Sequence, residues 1–101
     1  MIEIKIIAEF GVKEDQAEAF KSMLAAALVE TRSFEGCKGV DIFEDQEKSV
    51  FNALSNWSSH SDYDEYLTWR TEQGIGDLLD PMLEGGFPEG LVARKVEKVD
   101  I

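Results

Sequence analysis

Basic residues, cysteine and histidine are all scarce in this chain. Ten lysines and arginines stand against twenty-one aspartates and glutamates, for a formal net charge of -11. A surface of that sign repels a phosphate backbone, and the cations gather in no stripe beyond Arg94, Lys95 and Lys98, so no nucleic-acid partner is expected. Cys37 stands alone, which excludes an internal disulfide and any cysteine-built zinc or iron-sulfur site within one subunit. At the start of a strand it reads as a small buried residue. His60 is the sole histidine, and the acidic side chains show no metal-ligand spacing with it, so they read as a solvated surface. No apolar run approaches the roughly 20 residues that a membrane span requires. The N-terminal MIEIKII carries Glu3 and Lys5 within its apolar stretch and lacks a basic start and a small-residue cleavage site. It therefore reads as a strand and not a signal peptide, and a cytoplasmic protein is expected. No dinucleotide fingerprint, internal repeat or linker is present, and the 101 residues read as one domain.

What is present is a clear alternation of strand and helix periods. Over residues 2–10, Ile2, Ile4, Ile6, Ala8 and Phe10 point one way and Glu3, Lys5, Ile7 and Glu9 the other, the period of a strand. After Gly11, a helix opens with Glu14 and Asp15 in its first turn, where acidic groups complement the macrodipole. Its apolar stripe is Ala17, Phe20, Leu24, Ala27, Leu28 and Thr31, and its expected end is near Arg32. Residues 37–44 and 50–57 form two further strands, joined as a hairpin through Asp45 to Ser49. Ser58 or Ser59 caps the next helix, with Asp62 completing a capping-box pattern, and Gly74 is placed to terminate it. A short amphipathic extension over 75–83 is distorted by Pro81. A glycine-rich loop over 85–90 leads to a last strand over 91–99.

The resulting order, β-α-β-β-α-β, predicts an α+β, ferredoxin-like sandwich: a four-stranded antiparallel sheet with helices on one face. The other face is left bare. Ile7, Val40, Ile42, Val92 and Val96 are its expected apolar residues, and a homodimer pairing sheet against sheet is the simplest closed way to cover them.

The stretch from Gly36 to Gly74 holds the candidate site. Its last twenty or so residues carry Asn52, Asn56, Trp57, His60, Tyr63, Tyr66, Trp69 and Arg70, aromatic rings beside a few polar groups, the composition of a small-molecule cavity. Each has a plain structural reading as well. Trp57 either closes the core at a strand end or walls a cavity. Tyr63 and Tyr66 share a helix face with Leu67 and Arg70, which packing alone explains. Trp69 either lines the pocket or covers the 75–83 segment. His60 has the neutral-range chemistry of a general base, or is a solvated residue at a helix start. Arg70 either stabilises an oxyanion or pairs with Glu65 or Asp77.

Several local patterns in order resemble the antibiotic biosynthesis monooxygenase family of dimeric α+β barrel proteins. They are the helix entered after Phe10-Gly11, the run Thr31-Arg32-Ser33-Phe34-Glu35-Gly36-Cys37, the strand end Asn56-Trp57-Ser58-Ser59, and the helix from Asp64 to Gly74. The resemblance covers nearly the whole chain. It implies a cofactor-independent monooxygenase that uses O₂ on a small hydrophobic aromatic, polyketide or quinol-like substrate, without flavin, haem or metal. It also implies a pocket to which Trp57, Tyr63 or Tyr66, Asn52 or Asn56, and Arg70 contribute. The haem-degrading branch needs a helix histidine well downstream of the tryptophan, where this chain has tyrosine or leucine. The rival readings are a non-catalytic small-molecule-binding dimer and an isomerase of the same fold.

Overall fold

Strand alternation sets the first element of the computed structural model, which describes residues 4–101. Strand β1 runs Ile4–Gly11, with Ile4 and Ile6 buried; the expected strand positions Ile2 and Glu3 lie outside the described residues. Glu14 and Asp15 fall in a separate 3-10 turn, Glu14–Gln16, that precedes the first α-helix, α1, Ala17–Ser33. Phe20, Leu28 and Thr31 from the expected stripe are its buried residues. Strands β2, Cys37–Asp45, and β3, Val50–Trp57, form the hairpin. Helix α2, His60–Glu72, is capped by Ser59, whose Oγ accepts the Asp62 N–H at 3.1 Å. Gly74 follows it with φ 84°, a left-handed conformation that glycine adopts without strain. A short helix α3, Ile75–Leu79, then passes into a 3-10 turn, Asp80–Met82, because Pro81 cannot continue an α-helical ladder. Strand β4, Leu91–Glu97, ends two residues short of the expected Val99.

All neighbouring strands are antiparallel, in the order β2-β3-β1-β4. This is the ferredoxin-like α+β fold, with both long helices on one face. Directly opposed residues share a face, so the register fixes the two sets. Ile4, Ile6, Ala8 and Phe10 oppose Trp57, Ser55, Ala53 and Phe51, and these point toward the helices. Ile7 opposes Leu54 and Arg94 on the open face, where Phe43 and Val92 are 55% and 51% exposed.

Two residues expected on the open face are on the other. Val40 opposes Ser55 and Ile42 opposes Ala53, so both look inward. The cause is a bulge: Cys37 pairs with Trp57 and Gly39 with Asn56, leaving Lys38 as an extra residue. One inserted residue reverses the facing of all that follows. Without it Val40 would have opposed Leu54, on the open face. Phe43 takes the outward position instead.

The core divides into two clusters along the strands. Val12, Phe20, Phe51, Leu79 and Leu83 fill one end. Ile6, Trp57 and Tyr63, with Phe34, Cys37 and Tyr66 against them, fill the other. Between the two the inward residues become small. Ala8 stands opposite Ala53 on one side and Ala93 on the other, a row of three alanines across three strands.

Candidate functional site

Above that alanine row lies a cavity of about 160 Å³, roofed by α1 and α2. Met23, Leu24, Ala27 and Leu28 of α1, Ile6 and Phe10 of β1, and Val40 and Ile42 of β2 make its walls largely apolar. Leu67, Thr71 and Ala93 also line it and are themselves exposed, so it reaches solvent between α2 and the edge strand β4. A second hollow, of about 380 Å³, adjoins it at Thr71, Ile75 and Phe87 and is rimmed by Asp77 and Asp80. Among the described residues no three His, Cys, Asp or Glu side chains converge where they could hold a metal ion.

A connected group of polar side chains meets the cavity where α1 faces α2. Tyr66 and Arg70 are four residues apart on α2 and share a face, and that face meets Thr31 of α1. The Tyr66 hydroxyl lies 2.8 Å from Thr31 Oγ1 and accepts a hydrogen bond from Arg70 Nε at 3.0 Å. Arg70 Nη2 donates to Thr31 Oγ1 at 3.0 Å and to the Ala27 carbonyl. Thr31 Oγ1 also reaches the Ala27 carbonyl, at 3.3 Å. Arg70 is 8% exposed and Thr31 3%. A guanidinium buried to this extent needs its donors occupied, and these contacts occupy most of them. Among the described residues its carboxylate partner is Glu30, 3.8 Å from Nη1 and itself largely exposed, and not Glu65 or Asp77. The guanidinium also lies over the rings of Trp69, at 4.7 Å, and Tyr66, at 5.6 Å.

The aromatic wall is built around Trp57, which is 2% exposed. Tyr63 meets it edge-on at 5.5 Å between ring centres, Tyr66 lies 5.1 Å away, and Phe34 packs against Trp57, Tyr66 and Trp69. Phe34 is delivered by the turn at Gly36, where φ is 92° and a side chain would strike Asp62 at 2.5 Å. The indole N–H donates to Ser55 Oγ at 2.9 Å. Ser55 therefore accepts from Trp57 and keeps its own hydrogen for another acceptor. The Tyr63 hydroxyl, unlike that of Tyr66, takes no part in these bonds, although the residue is only 7% exposed and lines the cavity. Burial first, then the neighbouring Tyr66 and Asp64, pushes its pKa up to about 12.

The fold thus brings Trp57, Tyr63, Tyr66 and Arg70 to one cavity. It places the other four candidates elsewhere. Asn52 and Asn56 alternate with the inward residues of β3 and oppose Glu9 and Lys5 on the open face. His60 opens α2 outside the cavity lining, 4.0 Å from Glu97. Trp69 backs the wall through Phe34 and Arg70 without lining the cavity. Thr31 and Ser55 are lining residues that sequence reasoning passed over. Thr31 had a signal, as the polar member of an apolar helix stripe, and Ser55 had one in lying two residues before Trp57 on the same strand face.

Comparison with known proteins follows the same outline. The profile of the antibiotic biosynthesis monooxygenase family matches residues 3–71. The chain belongs to that family. A Mycobacterium tuberculosis protein, Rv0793, whose name assigns it provisionally as a monooxygenase, is 27% identical over 82 residues, covering 75% of this chain and 79% of that protein. The solved structure of Rv0793 superposes with a TM-score of 0.70 at 20% identity, covering 98% of this chain and 97% of that one. A Deinococcus radiodurans structure with a provisional assignment to the same family gives 0.78 at 15% identity, covering 97% and 94%. At these identities the two structures bear on the fold of this family member and leave its chemistry to be argued from its own residues.

Proposed function

We propose that this family member is a cofactor-independent monooxygenase acting, as a homodimer, on a small aromatic, polyketide or quinol-like substrate. One observation carries the reading: a buried guanidinium and two phenols, Arg70, Tyr66 and Tyr63, meet a largely apolar cavity. That combination suits a substrate that is hydrophobic and ionises at oxygen. An ionised phenol or quinol is electron-rich enough to reduce O₂ itself, so the protein's duties are to bind it away from water and to stabilise the anion.

The residues divide those duties. Trp57, Ile6 and the alanine row hold the ring. Tyr63, with its pKa pushed up to about 12, stays protonated at neutral pH and acts as a hydrogen-bond donor rather than a base. Either oxygen of the Thr31–Tyr66 pair can be the donor. When Thr31 donates to Tyr66, the Tyr66 hydrogen is released to a substrate oxygen while Arg70 holds the phenol in place.

The open sheet face supports the dimer. Ile7, Leu54, Phe43, Val92 and Val96 lie on it, flanked by Asp41 on β2 and Arg94 on β4, charges of opposite sign that self-association can pair.

The test is oxygen uptake with hydroquinone and anthrone substrates, comparing wild type with Arg70→Met. Turnover above the buffer rate, lost in the variant, supports the proposal. Binding of such phenols with no oxygen uptake across the panel replaces it with the binding-module reading.

A further inference from the structure

We infer that the cavity takes a single-ring phenol or hydroquinone and excludes fused polycycles; the inference rests on the oxygenase reading for the chemistry and on the cavity's dimensions for the size. An apolar cavity of about 150 Å³ holds benzene, and this one measures about 160 Å³. One substituted ring fills it. A second fused ring either protrudes through the mouth between α2 and β4, where it gains no apolar burial, or displaces the end walls, which belong to two well-packed core clusters.

The space has a defined origin in the sequence. The inward row of the sheet is bulky at Ile6 and Phe10 and small between them, where Ala8 aligns with Ala53 and Ala93. A ring laid on those methyl groups shares the cavity with Tyr63, a buried residue whose hydroxyl takes no part in the hydrogen bonds around it. Past the other end stands Phe87, whose ring packs so close to Gly76 that a side chain there would meet it at 3.0 Å. Phe87 lines both the cavity and the adjoining hollow, and so limits the length of the occupant.

The chemistry balances for a hydroquinone and O₂. One ring C–H becomes C–OH and both phenolic O–H bonds are lost, giving a hydroxyquinone. Four electrons pass from the ring to O₂, one oxygen atom stays in the new hydroxyl, and the other leaves as water with two hydrogens. No further reductant enters.

Anaerobic calorimetric titration separates size selection from turnover. Without a size limit, 1,4-dihydroxynaphthalene should bind more tightly than methylhydroquinone, because it buries more apolar surface. The inference requires the reverse, with methylhydroquinone at least tenfold tighter. Ala53→Leu, which fills the cavity from its floor, should weaken methylhydroquinone at least tenfold. Phe87→Ala, which joins the two hollows, should strengthen 1,4-dihydroxynaphthalene at least tenfold, a gain that misfolding cannot produce. If wild type binds the bicyclic diol as tightly as the monocyclic one, or Phe87→Ala brings no gain, the size assignment falls, whatever the oxygen electrode reads. If the size order holds anaerobically and air produces no oxygen uptake, the occupant stands and the oxygenase reading falls.

Discussion

Replacing each of the two cavity tyrosines with phenylalanine should separate a hydroxyl that serves both fold and substrate, Tyr66, from one that serves the substrate alone, Tyr63. Tyr66→Phe removes a neutral hydrogen bond to Thr31, at 2.8 Å, and one from the charged Arg70, at 3.0 Å. Such bonds contribute about 1 kcal/mol and about 1.5–3 kcal/mol respectively. Arg70 keeps Thr31 and the Ala27 carbonyl as partners, so the expected loss is toward the lower end, about 2–3 kcal/mol. For a domain of this size that lowers the melting temperature by roughly 10–15 °C. Tyr63→Phe breaks no hydrogen bond of the cluster and keeps the ring against Trp57, so its stability should stay within about 0.5 kcal/mol of wild type. Turnover should fall in both variants, but only in Tyr66→Phe together with stability. Loss of a preorganised donor to a substrate oxyanion costs about 3 kcal/mol of barrier, or about a hundredfold in kcat/KM, and Tyr63→Phe should show that fall in a protein that melts normally. Thermal melts and oxygen uptake on the same preparations decide the matter. A Tyr63→Phe protein with wild-type turnover would reduce Tyr63 to wall packing and refute its assignment as a donor.

Two further outcomes are expected. Between pH 10 and 12 the wild type should lose stability relative to Tyr63→Phe: the folded pKa is about 12 against an ordinary value of 10.0, so the stabilisation is complete below pH 10 and is lost as pH rises through the folded value. Urea melts across that range should show a difference on the order of 2 kcal/mol, and parallel curves would contradict it. Sedimentation equilibrium should give twice the 11.3 kDa chain mass, and Leu54→Asp on the open face should return a folded monomer; a wild-type monomer at micromolar concentration would overturn the dimer.

Element order, caps and helix faces were legible in the sequence because each depends on residues within about one turn or one hairpin of one another. The stripe through Phe20, Leu28 and Thr31, the Ser59 cap and the Gly74 stop all have local causes, and each occurs where its pattern places it. The facing of β3 was legible too: once Trp57 points inward, a period of two sends Asn52 and Asn56 outward, away from the cavity. Three features depended on the tertiary structure. The bulge at Lys38 turns Val40 and Ile42 inward, and it is visible only in how β2 pairs with β3. The alanine row needs the register of three strands, two of them more than forty residues from β1 in sequence. The contact of Arg70 with Thr31 spans 39 residues and two helices. Where those helices cross is set by the side chains filling the space between them and the sheet, so no run of neighbouring residues records it.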